Sequence, residues 1–341
     1  MRKNLSYKIL ISVLALSAFN CNEPANTAAA DILSASSNIY AIQNNASAKK
    51  VVVIKDENIT QNIFGDIAEN SNVTSNEVII TRSTITGLVY GGLSSRGNSN
   101  YNTVTINNST ISDYVVGGYS EAGNASKNNT FITNSSIGYD AYGGYSKAGN
   151  ASKNNTFITN SSIGDDAYGG YSEAGNASKN NTFITNSSIS DDVFGGYSYY
   201  ANAYNNNVFI TNSSIGDDVY GGYSEAGNAS KNNVFISDSN IAEDVIGGYS
   251  EAGNTSKNNV FITNSSVFQN VYGSSSAESN AFGNNVFITD SSISYDVYGG
   301  ASGTGNSLNN NVFVKGSSIF QDVVGGYSKA GNALNNSFFY R

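Results

Sequence analysis

Residues 221–246 read GGYSEAGNASKNNVFISDSNIAEDVI, and units of this kind recur along most of the chain. Counting Gly221 as position 1 gives every residue of the array a position between 1 and 26. The position 1 glycine returns every 26 residues with no insertion or deletion, at Gly65, Gly91, Gly117, Gly143, Gly169, Gly195, Gly221, Gly247, Gly273, Gly299 and Gly325. A fixed period of this length is typical of solenoids, in which each repeat stacks on its neighbours.

The apolar residues of the unit are small or β-branched and lie close together. Position 16 is Ile or Val from Ile80 to Val314, position 21 is Ile or Val, and position 25 is Val or Ala. Such residues fit a pleated, packed surface, and no 3.6-residue periodicity indicates a helix. The unit predicts about three short strands, near positions 14–17, 19–21 and 24–4. We therefore expect an all-β parallel β-helix of about eleven 26-residue coils, a rod of roughly 50 Å at one strand spacing per coil.

A transmembrane β-barrel is the main architectural alternative, since 26 residues could form one hairpin. Barrel strands need about 9–11 residues of alternation, and their outer loops usually differ in length. The apolar runs here are shorter and no loop changes length, which favours the solenoid.

The first thirty residues have the features of an export signal. Three basic residues within the first eight precede an apolar stretch, residues 9–19, and three alanines at 28–30 offer a cleavage site. The apolar stretch is shorter than the ~20 residues that span a bilayer. We predict a signal peptide at residues 1–30, a polar N-terminal lead-in or cap at 31–50, and the β-helix at 51–341.

Composition argues against several classes of function. The 341 residues carry a formal net charge of −9, with no His and one Cys, Cys21. An acidic balance disfavours nucleic acid and anionic membranes as partners. An enzyme needs a non-repeated group of acid, base or metal-binding residues, and the acidic residues here mostly recur with the period. We expect no catalysis; the alternatives are a β-helix enzyme acting on polysaccharides and an outer-membrane barrel component.

Two asparagine columns run through all eleven registers, and we expect hydrogen-bonded ladders that stabilise bends, since Asn tolerates the left-handed conformation. A row that binds glycans or ions is the functional alternative. Position 8 is Asn72, Asn98, Asn124, Asn150, Asn176, Asn202, Asn228, Asn254, Asn280, Asn306 and Asn332. Position 12 is Asn76, Asn102, Asn128, Asn154, Asn180, Asn206, Asn232, Asn258, Asn284, Asn310 and Asn336.

An acidic column at position 24 raises the question of a metal. Hard carboxylate oxygens suit Ca²⁺, although the Gly-Gly-x-Gly-x-Asp calcium repeat does not occur. We expect a solvated charged face without a cofactor, with calcium as the alternative. The column comprises Asp140, Asp166, Asp192, Asp218, Asp244, Asp296 and Asp322.

Aromatic residues recur at positions 15, 26 and 3. If positions 14 and 16 point inward, position 15 points outward, so its Phe column either packs under the long bend or forms a contact surface. The position 15 column is Phe131, Phe157, Phe183, Phe209, Phe235, Phe261, Phe287 and Phe313. A second candidate contact site is the bend in which Tyr199, Tyr200 and Tyr204 replace the usual Glu, Ala and Ser.

An export signal followed by units of the type Asn-Asn-x-Phe-Ile-x-x-Ser-x-Ile…Val-Tyr-Gly-Gly resembles the passenger region of Gram-negative autotransporters, the type V secretion proteins. The resemblance covers residues 51–340. It implies a right-handed β-helix, export to the cell surface or outside it, and adhesion to a host or neighbouring-cell protein or glycan. It also implies anchoring in the outer membrane by a C-terminal barrel. No barrel follows the repeats, so we expect an uncapped last coil, with either a sequence truncated before its anchor or another element that covers that end.

Overall fold

The computed structural model describes residues 39–40 and 49–341, and it confirms the all-β parallel β-helix of about eleven 26-residue coils. The signal peptide predicted at 1–30 and most of the lead-in predicted at 31–50 lie outside the described residues. One described pair of the lead-in, Ile39–Tyr40, is a strand that pairs with Ile63–Phe64. The described part of the chain has no helix with the length and apolar character to cross a membrane.

Four parallel sheets run along the rod, and each strand pairs with the strand one coil away, as Ile158 does with Ile184. Sheet 1, positions 13–17, contains Val51–Lys55, Glu77–Thr81, Thr103–Asn107, Asn129–Thr133, Asn155–Thr159, Asn181–Thr185, Asn207–Thr211, Asn233–Ser237, Asn259–Thr263, Asn285–Thr289, Asn311–Lys315 and Ser337–Tyr340. Sheet 2, positions 20–21, contains Asn58–Ile59, Thr84–Ile85, Thr110–Ile111, Ser136–Ile137, Ser162–Ile163, Ser188–Ile189, Ser214–Ile215, Asn240–Ile241, Ser266–Val267, Ser292–Ile293 and Ser318–Ile319.

Sheet 3 spans positions 25–4. Some coils contribute one continuous strand to it, and others contribute two short strands. It contains Ile39–Tyr40, Ile63–Phe64, Ile67–Ala68, Val89–Tyr90, Leu93–Ser94, Val115–Val116, Tyr119–Ser120, Ala141–Ser146, Ala167–Ser172, Val193–Ser198, Val219–Ser224, Val245–Ser250, Val271–Tyr272, Ser275–Ser276, Val297–Tyr298, Ala301–Ser302, Val323–Val324 and Tyr327–Ser328. Sheet 4, positions 9–10, contains Val73–Thr74, Ser99–Asn100, Ala125–Ser126, Ala151–Ser152, Ala177–Ser178, Ala203–Tyr204, Ala229–Ser230, Thr255–Ser256, Ala281–Phe282, Ser307–Leu308 and Ala333–Leu334.

Sheet 4 corrects the prediction of three strands per coil. Its inward residue is small, usually Ala, as at Ala151 and Ala177, and both are fully buried. A single Ala between polar neighbours gives no periodic apolar signal, so this strand could not be found from hydrophobicity.

The core is a set of aliphatic columns, because each inward position meets the same position of the next coil. Ile158 and Ile184 of sheet 1 are about 1% exposed, and Ile163 of sheet 2 and Val193 of sheet 3 are fully buried. These columns form one continuous cluster along the rod. At ~1.5–3 kcal/mol for each buried aliphatic side chain, stacking is the main source of stability before chain entropy is counted.

The position 12 asparagines form a ladder inside the rod. Asn154 is fully buried; its backbone N–H and its Nδ2 both donate to Oδ1 of Asn180, at 3.0 and 3.1 Å. Nδ2 also donates to the carbonyl oxygen of Ala125, 2.9 Å away. The same pattern recurs in coil after coil, so each amide side chain links its own bend to the bends on either side.

The Gly-Gly pair makes room for this ladder and for the neighbouring coil. A Cβ on Gly170, at position 2, would lie 2.4 Å from Cγ of Asn180. A Cβ on Gly169, at position 1, would lie 2.5 Å from the carbonyl oxygen of Gly195 in the next coil. Both glycines are therefore required, because a side chain at position 2 would displace the buried amide and one at position 1 would displace the backbone of the next coil.

The position 8 asparagines form a second ladder, which faces solvent. Asn150 donates from its backbone N–H to Oδ1 of Asn124 at 2.8 Å, and from Nδ2 to the same oxygen at 3.2 Å. Neither column adopts the left-handed conformation that the sequence suggested for it. Among the described residues, positive φ falls at position 11, as in Lys153 (58°), and at position 18, as in Asn160 (50°). Asn at positions 8 and 12 is explained by its hydrogen bonds to adjacent coils instead.

Replacing Asn180 by Ala should destabilise the rod by about 3 kcal/mol, because Asn154 would lose the acceptor for two buried donors. Hydrogen exchange at the backbone amide of Asn154 and the thermal midpoint of unfolding would measure the loss. The matched control is Asn150→Ala in the solvent-facing ladder, where we expect less than about 1 kcal/mol because water can replace the lost partner. Equal effects at both positions would contradict the internal role of the position 12 ladder.

Candidate functional site

The outer face of sheet 1 carries the position 15 phenylalanines in one stack. Phe157 and Phe183 have ring centroids 4.7 Å apart and ring planes inclined by 2°. The spacing along the stack stays between 4.7 and 5.0 Å, with no inclination above 7°. The stack runs through Phe131, Phe157, Phe183, Phe209, Phe235, Phe261, Phe287, Phe313 and Phe339. Phe131, at the start of the stack, is 36% exposed, and the next seven rings are partly exposed.

The stacking decides what the phenylalanines can present to a partner. Each ring inside the stack covers the faces of its two neighbours, so the rings direct their edges outward. A flat ligand such as a sugar ring stacks on an open aromatic face, which this column does not offer along its length. Aromatic edges carry partial positive charge and pack against apolar or electron-rich groups. The column therefore fits a broad surface contact better than a stacked sugar.

Two polar columns flank the phenylalanines on the same face. At position 13, Nδ2 of Asn181 donates to Oδ1 of Asn155 at 2.8 Å, and Asn207 continues the ladder to Asn181 at the same distance. At position 17 the outward residue is Thr in most coils, as in Thr159 and Thr211. We call the outward residues of positions 13, 15 and 17 between Asn129 and Thr289 the Asn–Phe–Thr face.

The aromatic residues of positions 26 and 3 lie on the outer face of sheet 3 and pack against one another. Tyr168 stacks on Phe194 at 4.8 Å, and Tyr171 stacks on Tyr197 at 4.8 Å. The two columns meet nearly at right angles, with 89° between Tyr168 and Tyr171. Tyr168, Phe194 and Tyr197 are each less than a tenth exposed, so this surface buries its rings against itself.

The position 24 aspartates lie beside these tyrosines and are more enclosed than the solvated face that the sequence suggested. Asp140 is 8% exposed, and its Oδ1 accepts a hydrogen bond from the backbone N–H of Asp166 at 3.1 Å. Its Oδ2 accepts from the hydroxyl of Tyr142 at 2.5 Å. Asp166 repeats both interactions with Asp192 and Tyr168. Asp140 and Asp166 therefore each connect two coils and orient one tyrosine.

Burial raises the pKa of these carboxyl groups above the ordinary value of 3.8. The pKa of Asp140 rises to about 6, that of Asp166 to about 7 and that of Asp192 to about 8, in each case mainly through burial. Neighbouring aspartates add to the shift, since a column of like charges opposes ionisation. Hydrogen bonds from the next coil's N–H oppose the rise in all three.

Position 23 adds a second row of carboxylates to the column. The aspartates form three groups of three, and in each group one carboxylate oxygen of every member lies within 4.8 Å of an oxygen of the other two members. The groups are Asp140 with Asp165 and Asp166, Asp166 with Asp191 and Asp192, and Asp192 with Asp217 and Asp218. Such groups could hold a divalent cation, and carboxylate oxygens are the ligands that Ca²⁺ takes in proteins.

The tyrosine-rich bend does not form one patch. Tyr199 and Tyr200 have ring centroids 4.4 Å apart, and Tyr199 packs against the sheet 3 aromatics while Tyr200 is 66% exposed. Tyr204 lies in sheet 4, in the strand Ala203–Tyr204. The predicted contact function of this bend stays a prediction.

Some residues of these surfaces were not singled out from the sequence. The position 13 Asn column and the position 17 Thr column are both visible as repeats, but only the pleat shows that they share a face with the phenylalanines. The link between Tyr168 and Asp166, two residues apart, could have been suspected because residues i and i+2 of a strand point the same way.

No model of a known protein family matches the chain, and comparison with curated proteins gives no match. Among solved structures, the chain is similar to a hyperactive, Ca²⁺-dependent, β-helical antifreeze protein from an Antarctic bacterium. The identity is 14%, the match covers 82% of each chain, and the TM-score is 0.27. A likeness at this level carries no argument about the ligand or activity of this chain.

Stability should fall as the pH rises from about 4 to about 8. Because the folded pKa values of Asp140, Asp166 and Asp192 lie above the unfolded value, the folded chain binds more protons in this window, and deprotonation favours unfolding. The thermal midpoint at each pH would measure the slope. Asp192→Asn is a conservative probe, since Asn270 occupies position 24 in another coil and accepts the same N–H bond from Asp296. The slope should be shallower in this variant; an unchanged slope would contradict the assignment.

Proposed function

We propose that the chain is an exported, non-catalytic rod of a bacterial cell surface, similar to an autotransporter passenger, that adheres through its Asn–Phe–Thr face. The partner is a protein or glycan on a host or neighbouring cell. The observation that supports the proposal is the unbroken face itself, in which one amide, one ring edge and one hydroxyl recur in every coil from Asn129 to Thr263. In one coil the hydroxyl belongs to Ser237 instead of a Thr.

The repetition supports contact rather than catalysis. A catalytic site brings different groups to one place, whereas this face offers the same weak contact many times at a constant spacing. Weak contacts made in parallel give strong adhesion when all can engage together. The absence of His from the sequence also removes the side chain that most often serves as general acid or base.

The ring edges favour a protein over a glycan as the partner. Edge contacts to an extended protein surface use every coil, while sugar binding by ring stacking would require open aromatic faces. The flanking amides add hydrogen bonding, because one ladder bond uses only one of the two donors of each Asn side chain.

We propose in addition that Ca²⁺ neutralises the aspartate column at the start of sheet 3 and stabilises the rod there. Three groups of carboxylates within 4.8 Å and the raised pKa values of Asp166 and Asp192 support this, since a cation would offset the repulsion between the carboxylates.

Adhesion can be tested with beads coated with the chain and incubated with candidate host or neighbouring cells, and with protein and glycan arrays. The double variant Phe209→Ala, Phe235→Ala opens the stack and should reduce bead attachment at least about tenfold, since multivalent attachment depends steeply on each contact. Tyr200→Ala, which removes an exposed ring from the tyrosine-rich bend, is the matched control and should leave attachment unchanged. Attachment that follows Tyr200 instead of the phenylalanines would contradict the proposed surface.

The calcium proposal predicts that Ca²⁺ raises the thermal midpoint at pH 8 and has little effect at pH 5, where Asp166 and Asp192 are protonated. Asp192→Asn removes a member of two of the three groups and should reduce the effect of Ca²⁺. Asp290→Asn, at an exposed position outside the three groups, is the control. An equal calcium response in all three proteins would exclude binding at this column.

A further inference from the structure

We propose that two copies of this chain associate face to face through the Asn–Phe–Thr face, with their rods parallel and each coil opposite the same coil of the partner. This inference goes beyond the proposed function: it names a second copy as an occupant of the same face, so self-association and adhesion to cells compete for that face. Four properties of the face support the proposed dimer: its flatness, its period, its size and its charge.

The face is unusually flat for a β-sheet. Neighbouring strands usually rotate by about 20–25°, and flat sheets are typically stabilised by stacking or by side-chain ladders. Here successive phenylalanine centroids lie 4.7 to 5.0 Å apart, close to the ~4.8 Å strand spacing, so the column shifts little sideways from coil to coil, and the Asn ladder runs beside it. Two such faces can meet along their whole length, whereas twisted sheets would diverge after a few strands.

The period of the face selects its partner. Every coil presents the same groups at one strand spacing, so a partner must repeat at that spacing to make the same contact each time. A second copy meets this requirement because its coils repeat at the same spacing. Asn ladders and stacked aromatic residues are also the features that join paired sheets made of identical strands.

The area of the face suits a dimer at the small end of specific interfaces. Seven strands from Asn129 to Thr289, at ~4.8 Å each, and five residues at ~3.3 Å give the face an area of roughly 34 by 16 Å, or about 550 Å². Two such faces bury about 1,100 Å² in total, which exceeds the ~1,000 Å² that a specific interface needs.

The charge distribution allows this face to approach its own copy. The chain carries a net charge of −9, yet no outward residue at positions 13, 15 or 17 from Asn129 to Thr289 is charged. Self-association through the aspartate-bearing face would oppose two acidic columns. Association through the Asn–Phe–Thr face places neutral residues opposite one another.

The margins of the face favour a parallel arrangement. Position 11 borders one side and carries Lys153, Lys179 and Lys231, while position 18 borders the other and carries Asn or Asp, as in Asp238. A two-fold axis parallel to the rods places the lysine margin of one copy opposite the Asn/Asp margin of the other. A two-fold axis across the rods would place lysine opposite lysine.

The same symmetry pairs complementary groups inside the interface. The phenylalanine column lies on the axis and meets itself. The position 13 amides of one copy meet the position 17 hydroxyls of the other, so Asn155 faces Thr159 of the partner's matching coil. Each Asn has a donor beyond the one used in its ladder, and each Thr hydroxyl can accept it.

Sedimentation analysis of the full chain over a range of concentrations tests the association. The wild type should shift to about twice the monomer mass as concentration rises. The triple variant Thr159→Lys, Thr211→Lys, Thr263→Lys should remain a monomer, because it introduces charges on the face without touching the core. Its matched control, Ala148→Lys, Ala174→Lys, Ala226→Lys, adds the same charge at exposed bend residues away from sheet 1 and should still dimerise. A wild type that stays monomeric, or a control that also loses the dimer, would overturn the proposal.

A short bis-maleimide cross-linker tests the orientation in a Cys21→Ser background. Val53 and Phe339 lie at the same position 15 near opposite ends of the column, and they are 47% and 56% exposed. In parallel dimers, Val53→Cys should cross-link with itself. Cross-linking of Val53→Cys only with Phe339→Cys, in a mixture of the two variants, would show antiparallel dimers and overturn the parallel arrangement.

These results separate the two proposals. A monomeric wild type whose bead attachment to cells is still lost in the threonine triple variant would reject self-association and retain the adhesive function. A dimer whose threonine triple variant attaches to cells as well as the wild type would support self-association and reject adhesion to cells through this face.

Discussion

The buried asparagine ladder is the interaction on which the geometry of the rod depends. Each position 12 side chain satisfies its own polar atoms by bonding to the bends above and below, as Asn154 does with Asn180 and Ala125. Because the amide lies against the position 2 glycine, the ladder holds sheet 3 as well as the bend. A change in coil length would break the ladder in the interior, where an unpaired amide is costly. This constraint accounts for eleven registers without insertion or deletion.

A fixed coil length also organises the outer surface. When every coil has the same length and little rotation, outward side chains form straight columns, and like residues then stack. Phenylalanine stacks with its edges outward on sheet 1, while tyrosine on sheet 3 is buried in two perpendicular columns. The two faces differ because Gly-Gly separates positions 26 and 3 and lets their rings pack against each other. The phenylalanines have no second column of rings beside them.

Much of this architecture could be predicted from the sequence because a perfect period carries more information than residue preferences. The inward columns could be predicted from aliphatic residues such as Ile158 and Val193, which recur with the 26-residue period. The strand at Ala151–Ser152 could not be predicted, since one small residue gives no apolar pattern. The left-handed bends at Lys153 could not be predicted either, because Lys has no preference for that conformation and the constraint comes from the adjoining coils. The enclosure of Asp140 could not be predicted, because it depends on how Tyr142 and the backbone N–H of Asp166 in the next coil close around the carboxylate.

Near-identity of adjacent coils has a further consequence for how such a rod can change over evolutionary time. Residues 143–168 and 169–194 differ at few positions and make equivalent contacts on both sides. Recombination between the DNA segments that encode them would remove or add one whole unit and leave every remaining coil beside a neighbour of the kind it had before. The reach of the rod can therefore vary in steps of one coil while its cross-section stays constant.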